Sequence, residues 1–440
     1  MKQAMQEHRF LEAQKELFDT YGKTFKIRSM GRTIIKSADY EVSKAVHATS
    51  FDKFGLQPMR YEGPNSFFGN GILVTDGAHW KRGRGLISPV FDIAHVKNFE
   101  RLEWHVDACM KLLPRDGSTV DLLPLFKRLT LDLSSEFIFG KSMNALSFPD
   151  AQQRFMDAFI EVQRGVRTRG ALGPKMRRLH RDKSWEKACK YIVDFVDAHV
   201  DEALARVEKG EVNATGRVRL IDEMAKETQN KITLRSLTIS VFSPAHDTVA
   251  VALSNVFFHL ARNPAVWAKL RAEIMPTADQ PLSYDLLKSY KYLNCVLRES
   301  HRVTPIAPAT QRQCLETTVL PSGGGPDSRS PLFVQQGDIV ETNFRVMLRD
   351  EDFWGDDADQ FRPERWETLH PRPTWEYTPF SGGPRICPAL NLVYTESAYI
   401  VTRFLRQFRA LENRDGEVAW VEQIRLIFQS KNGAMVGLVD

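Results

Sequence analysis

The sequence predicts a mainly α-helical protein with a minor β component, folded as one domain over residues 1–440. Apolar residues recur at helical spacing in many long segments, whereas stretches typical of β-strands are few and short. The chain is 42% hydrophobic and 26% charged, which suits a globular protein with a sizeable core. It contains no linker rich in proline, glycine or serine and no internal repeat, so we expect no second domain.

Helices are expected wherever apolar residues follow a period of 3.6. These segments are 10–22, 40–48, 77–83, 94–113, 121–139, 150–164, 183–208, 217–227, 233–262, 264–275, 283–301 and 390–408. Strands are expected in short runs bounded by turn residues. These are a hairpin formed by 25–30 and 33–36, followed by 317–320, 332–334, 339–343, 408–412 and 424–438.

Composition and charge argue against several classes of protein. The five cysteines form no Cys-x-x-Cys pair, which disfavours a disulfide scaffold or a zinc site and favours a reducing compartment. No run of 18 apolar residues is present and the first 15 residues are polar, so neither a membrane span nor a signal peptide is expected. Basic residues cluster between 164 and 183, as a solvated surface or as a contact with an anionic membrane. Nucleic-acid binding is disfavoured because no aromatic residues interleave with them.

The most informative residue is Cys387, which follows the loop Phe-Ser-Gly-Gly-Pro-Arg-Ile and precedes a long helical pattern. Backbone N–H groups and the positive end of a helix dipole favour a thiolate at such a position. Pro388 suits the first helical position, where a missing N–H costs nothing. By itself the cysteine is compatible with a structural role, a nucleophile, a redox thiol or a metal ligand. Arg385 adds a cation suited to a carboxylate.

The loop resembles the haem-binding signature of the cytochrome P450 superfamily. Four residues match that signature: Phe380, Gly383, Arg385 and Cys387. Ala389 stands where the family usually has glycine. The resemblance covers nearly the whole chain and implies the cytochrome P450 fold, a helical bundle around haem b with small β-sheets. It makes Cys387 the axial metal ligand, whose thiolate favours O–O cleavage. Because Pro388 has no N–H, we expect fewer hydrogen bonds to this sulfur and a lower iron potential.

Further residues take their roles from the same resemblance. Trp80 and Arg84 lie four apart on one helix face, where the family's Trp-x-x-x-Arg pair holds a haem propionate. Arg312 and Arg385 would supply the other propionate contacts. A buried ion-pair cluster with a structural role is expected from Glu299, Arg302 and Arg365.

A long apolar segment resembles the family's central helix, with Asp247 and Thr248 at its acid and alcohol positions. Thr248 would donate a hydrogen bond to dioxygen, Asp247 would relay protons, and Ala245 would lie against the haem. Pro244 stands where relatives carry a small residue. Since proline removes a helical hydrogen bond, we expect a kink and an enlarged or shifted bulge there. His246 is an unusual neighbour that we expect to face away from the haem.

The function implied by the resemblance is haem-thiolate monooxygenation of a hydrophobic small molecule with O2, in fungal terpenoid or polyketide metabolism. One alternative is a terminal hydroxylase of fatty acids or alkanes, the branch that the sequence most resembles. Others are a non-oxygenating isomerase or dehydratase and a haem or ligand binder without activity. An apolar substrate pocket is expected to be lined by four segments: 57–68, 160–176, 242–245 and 305–309.

The chain has no GxGxxG sequence after a strand, so it is expected to bind no nicotinamide or flavin itself. The resemblance implies that NADPH-cytochrome P450 reductase supplies the electrons and docks near Lys81, Arg82 and Arg372. It also implies the cytosolic face of the endoplasmic reticulum membrane, with a membrane anchor that is missing from this chain.

Overall fold

The computed structural model describes residues 2–29, 31–91, 99–212, 219–369, 374–416 and 419–440. Its helices are α1 (Lys2–Gln6), α2 (Phe10–Tyr21), α3 (Tyr40–Lys44), α4 (Gln57–Arg60), α5 (Gly77–Ile87), α6 (Glu100–Lys111), α7 (Leu122–Phe139), α8 (Pro149–Leu179), α9 (Lys183–Glu208), α10 (Leu220–Glu227), α11 (Lys231–Arg262), α12 (Pro264–Ile274), α13 (Tyr284–Ser289), α14 (Lys291–Val303), α15 (Phe344–Met347), α16 (Glu351–Trp354), α17 (Arg365–Thr368) and α18 (Leu390–Gln407). No helix within these ranges has the length and apolar character needed to cross a bilayer.

The strands are short and form small separate sheets. They are β1 (Thr24–Ser29), β2 (Arg32–Ser37), β3 (Phe54–Gly55), β4 (Asp116–Asp121), β5 (Thr310–Cys314), β6 (Thr318–Gly324), β7 (Ser330–Val334), β8 (Ile339–Thr342), β9 (Ala410–Asn413), β10 (Glu422–Ile424), β11 (Phe428–Ser430) and β12 (Met435–Val439). The largest sheet has the order β1-β2-β8-β5-β3, in which only β2 and β8 run parallel. The others are β4-β12-β9 and the hairpins β6-β7 and β10-β11.

Helix α11 occupies the core and is buried along most of its length. Asn230 caps its N-terminus by accepting a hydrogen bond from Thr233 N (2.9 Å). On one side it packs against α7 and α18, where the ring of Phe257 lies 5.3 Å from that of Phe126 and 4.6 Å from that of Phe404. Each phenylalanine buried in this way contributes about 1.5–3 kcal/mol. This packing fixes the helix beside which the cavity described below lies.

The expected ion-pair cluster is present and fully enclosed. Glu299 accepts hydrogen bonds from Arg302 Nε (2.9 Å), Arg365 Nε (3.1 Å) and Trp366 Nε1 (2.9 Å). Both arginines donate their remaining N–H groups mainly to backbone carbonyls, among them that of Leu348. Because every charge is paired and hydrogen-bonded, the cluster ties α14 to the segment that leads toward Cys387.

The helix expected at 283–301 is in fact two helices, α13 and α14, and the prediction of one continuous helix is wrong. A carboxylate from outside the segment starts the second helix: Glu273 accepts hydrogen bonds from Tyr292 N (2.8 Å) and Leu293 N (3.0 Å). These N–H groups are free at a helix N-terminus, so the distant cap supplies their partner. No local pattern in the sequence encodes this contact.

Other boundaries also differ from expectation. Helix α8 continues past residue 164 to Leu179, and the strand expected at 424–438 is divided among β10, β11 and β12. Strand β4 was not expected, because its sequence resembles a turn; it forms by pairing with β12. Met30 of the expected hairpin and residues 94–98 of the expected helix 94–113 lie outside the described residues.

Candidate functional site

The loop that carries Cys387 is shaped by backbone contacts. Cys387 N donates to the Phe380 carbonyl (3.1 Å), which closes the loop. Gly383 has φ = 66°, in the left-handed region, and a Cβ there would lie 1.9 Å from the His47 carbonyl oxygen. Only glycine meets both conditions. Gly383 therefore acts by setting the path of the loop.

The thiol of Cys387 lies just ahead of helix α18. This helix begins at Leu390 with Ala389 as its N-cap, so Pro388 precedes the helix and does not occupy its first position, contrary to expectation. Burial raises the pKa of the Cys387 thiol, while the N–H of Ala389 and the charge of Arg84 act in the opposite direction. The sulfur thus keeps a backbone donor from Ala389 although Pro388 provides none.

Cys387 borders a cavity of about 680 Å³. Most of the residues singled out in the sequence meet in its wall: Trp80, Arg84, Ala245, Thr248, Arg312, Phe380, Arg385 and Cys387. Gly383 and Asp247 are not among the described residues that line the cavity. Each of the four segments expected to line a pocket supplies residues to it. The cavity is largely apolar, and its wall presents one thiol and several guanidinium groups.

Four arginines of the wall form one electrostatic group, namely Arg60, Arg84, Arg312 and Arg385. Burial lowers the pKa of Arg312 to about 9 and that of Arg385 to about 10, and neighbouring guanidinium groups contribute to both shifts. Both remain cationic at neutral pH. Within the described part of the chain, neither Arg84 nor Arg312 forms an ion pair. This end of the cavity therefore holds an excess of buried positive charge, which suits an anionic group.

Asp76 is the carboxylate that this arginine group does contact. Arg385 Nη2 donates to Asp76 Oδ1 (2.6 Å), and the same carboxylate accepts hydrogen bonds from Leu56 N (2.8 Å) and Gln57 N (2.7 Å). The Arg385 guanidinium also lies 4.5 Å from the centre of the Trp80 ring, a cation–π distance. These contacts hold α5, the Cys387 loop and the start of α4 together.

Helix α11 borders the cavity at its proline. The helix continues without a break through Pro244, and Thr248 Oγ1 donates to the Pro244 carbonyl (2.9 Å). Thr130 Oγ1 on α7 donates to the His246 carbonyl. The His246 ring packs edge-on against Phe159, 4.2 Å away, on the side of α8. Thus Thr248 is at the cavity wall, whereas His246 is held by aromatic packing elsewhere.

Asp247 faces α7 and α8 instead of the cavity. Its carboxylate lies 3.1 Å from Lys127 Nζ and accepts a hydrogen bond from Gln163 Nε2 (2.9 Å). Burial would raise the pKa of Asp247, but the charges of Lys127 and His246 and these hydrogen bonds outweigh it, so the pKa is lowered. Lys127 Nζ also donates to Gln429 Oε1 (3.0 Å) on β11. Asp247 is therefore ionised and linked to polar groups on two other elements.

The sequence matches the cytochrome P450 family model over residues 1–434, and the chain belongs to the cytochrome P450 family. It is 38% identical to cytochrome P450 monooxygenase iccC of Talaromyces variabilis, over 99% of this chain and 87% of that protein. It is 40% identical to monooxygenase iliC of Hypocrea jecorina, over 94% of each chain. It is 35% identical to monooxygenase apdE of Emericella nidulans, over 100% of this chain and 85% of that protein.

The family assignment confirms the predicted fold and the prediction of a cytochrome P450 monooxygenase. Enzymes of this kind use O2, a small-molecule substrate and a redox partner, and the family implies a haem cofactor. The residues present fit a haem. Cys387 offers a thiol to the cavity, and the buried arginines near it lack enough carboxylates of their own. A haem would bring two propionates to that charge.

Glu62, Gln163 and Arg167 lie within segments expected to line the pocket, but they were not singled out as site residues, and Lys127 was not foreseen at all. They reach their positions only when α7, α8 and the 57–68 segment pack around α11. Their local sequences carry no motif. The expected lining segments 57–68 and 160–176 and the basic cluster of 164–183 both point to this part of the wall, and Arg167, Arg169 and Arg177 of the cluster line it.

Proposed function

We propose that this protein is a haem-thiolate monooxygenase that oxidises a hydrophobic small molecule in fungal specialised metabolism. The observation that carries the proposal is the meeting of Cys387 with Arg84, Arg312 and Arg385 around one largely apolar cavity. The relatives iccC, iliC and apdE, all fungal, support the metabolic context. Terpenoids and polyketides are the substrate classes that we favour.

Haem b is the proposed cofactor, and the Cys387 thiolate would hold its iron. When bound, it supplies the activation of dioxygen. Arg84, Arg312 and Arg385 would pair with the propionates, and the indole N–H of Trp80 would add a neutral donor. Phe380 packs between the Cys387 loop and α14, with its ring 4.9 Å from that of His301, and so steadies the ligand loop.

Thr248 and Asp247 are the proposed groups for proton delivery. The Thr248 hydroxyl is at the cavity wall, where turning away from the Pro244 carbonyl lets it donate into the cavity. Asp247 is ionised beside Lys127 and can accept a proton at its carboxylate from that side. A side-chain rotation at Asp247 would then carry the proton toward Thr248. Ala245 is a small residue of the cavity wall, and its side chain would leave space for the cofactor beside α11.

The proposed electron donor is NADPH-cytochrome P450 reductase, and the proposed location is the cytosolic face of the endoplasmic reticulum membrane. Lys81 and Arg82 are exposed on α5, the same helix that carries Trp80 and Arg84. They suit an acidic partner surface. Arg372, the third residue expected at this surface, lies outside the described residues.

The reduced carbon monoxide difference spectrum tests the haem–thiolate assignment. The wild type should give a band near 450 nm, a property of the family, and Cys387→Ser should lose it. Incorporation of 18O from 18O2 into products, over a panel of terpenoids and polyketides with the reductase present, tests the oxygenation. Product formation without incorporated 18O would overturn the monooxygenase proposal.

A further inference from the structure

The cavity wall carries a second group of charges on α8, separate from those around Cys387. Arg167, Arg169 and Arg177 all contribute, together with Glu62 from the segment after α4. Glu62 accepts a hydrogen bond from Arg169 Nη2 (2.7 Å) and one from Arg177 Nη1 (3.3 Å). The Arg169 guanidinium also stacks on Trp185 at 4.6 Å. One carboxylate therefore serves two of the three arginines.

Of these three arginines, Arg167 is the one that does not pair with Glu62. Its Nη1 donates to the Ile424 carbonyl (2.8 Å) at the end of β10, and it pairs with no carboxylate of the described chain. A guanidinium has five N–H donors, and one carbonyl leaves the others available to water or to a ligand. The side chain is exposed and lines the cavity beside Gly170 and Leu426, which are exposed as well. The cavity therefore opens here, with a cation at its edge.

The position of Arg167 is fixed from both sides. Helix α8 holds its backbone, and the β10–β11 hairpin holds its guanidinium through Ile424. The hairpin is itself anchored to the wall segment, because Phe428 N donates to the Ile306 carbonyl (3.0 Å). A guanidinium placed in this way has lost part of its rotational freedom before a ligand arrives, which favours affinity.

We propose that Arg167 binds an anionic oxygen group of the substrate, such as a carboxylate. The substrate is then an amphipathic acid whose apolar body lies in the cavity and whose charged end remains near the opening. This inference rests on the proposed function and narrows its substrate class. The planar guanidinium fork matches a carboxylate in a bidentate way, which discriminates it from a neutral group of the same shape.

Isothermal calorimetry with decanoate and decanamide tests the proposal, since the two ligands share size and chain and differ in charge. We expect the wild type to bind decanoate about tenfold more tightly than decanamide. Arg167→Gln should abolish this preference by weakening decanoate alone, while Arg167→Lys should retain part of it. Unchanged decanamide affinity would show that the cavity of Arg167→Gln is intact.

Arg164→Gln is the matched control. It removes the same charge from the same helix one turn earlier, where Arg164 pairs with Glu161 and Asp182 and does not line the cavity. Its preference for decanoate should equal that of the wild type. Equal binding of both ligands by the wild type, a preserved preference in Arg167→Gln, or an equal loss in Arg164→Gln would each overturn the proposal. Because calorimetry needs no turnover, failure of the oxygenation test leaves this result readable.

Discussion

The carboxylate of Asp247 lies 3.1 Å from the ammonium of Lys127, and both are largely removed from solvent, with side-chain exposures of 7% and 18%. The pair joins α11 to α7 next to the cavity wall formed by Thr248. Its net effect is to lower the pKa of Asp247 although burial alone would raise it. The charge of Asp247 thus depends on Lys127, which lies 120 residues earlier in the chain.

We expect Lys127→Met to destabilise the protein by about 3 kcal/mol at pH 7, because it leaves a buried carboxylate without its partner. A carboxyl group with a lowered pKa stabilises the fold above its ordinary pKa of 3.8 and loses that contribution as the pH falls through the acid range. In Lys127→Met the ammonium is gone, so burial raises the pKa of Asp247. The carboxylate of this variant then takes up a proton more readily, and the variant should recover stability relative to the wild type when the pH falls from 7 to 5. Urea unfolding at both pH values measures this. A Lys127→Met/Asp247→Asn double variant should recover most of the loss, and additive losses would contradict the coupling.

Replacing Glu299 by Gln should cost at least about 3 kcal/mol, since Arg302 would remain buried without a carboxylate and Arg365 would keep only Asp357. Thermal or urea unfolding gives the difference. Glu161→Gln is the control: Glu161 and Arg164 have the same three-residue spacing but lie where water screens them, so we expect a loss below about 1 kcal/mol. Equal losses in both variants would show that the cluster gains nothing from burial.

Gly383→Ala should disrupt the Cys387 loop. An alanine at φ = 66° costs about 1–2 kcal/mol, and its Cβ would meet the His47 carbonyl. We expect the purified variant to retain much less haem, measured as the ratio of Soret to protein absorbance. Gly85→Ala on α5 is the control, because in the described part of the chain no atom outside the adjoining helix backbone lies within 4 Å of its added Cβ, and alanine favours the helix by about 0.5–1 kcal/mol. Full haem content in Gly383→Ala would contradict the proposed role.

Glu62→Gln should loosen the cavity opening. Without the carboxylate, Arg169 and Arg177 lose their ionic contact with the segment after α4. We expect amide hydrogen exchange in residues 57–63 to rise about tenfold, since partly buried charge-assisted bonds of this kind are worth about 1.5–3 kcal/mol. Peptides from α18 should exchange as in the wild type. Unchanged exchange in 57–63 would show that other contacts hold this segment.

The parts of the site that could be predicted from sequence are those carried by short motifs. The Cys387 loop and the Glu299 cluster depend on residues whose spacing is visible along the chain. Lys127 and the contacts of Arg167 could not be predicted, although Arg167 lies in a segment expected to line the pocket, because both residues meet their partners through packing between elements that are distant in sequence. The same reason explains why the helix breaks at Tyr290: the N-terminus of α14 is capped by Glu273, which lies on another helix, α12.

Asp76 makes two kinds of contact beside the cavity, a salt bridge with Arg385 and hydrogen bonds with backbone N–H groups, and one can be lost without the other. Its contacts with Leu56 N and Gln57 N come from the backbone and do not depend on Arg385. If Arg385 turned to pair with a haem propionate, as proposed, Asp76 would still hold the backbone at residues 56 and 57. The turn before α4 would thus keep these backbone contacts whether or not the cofactor is bound.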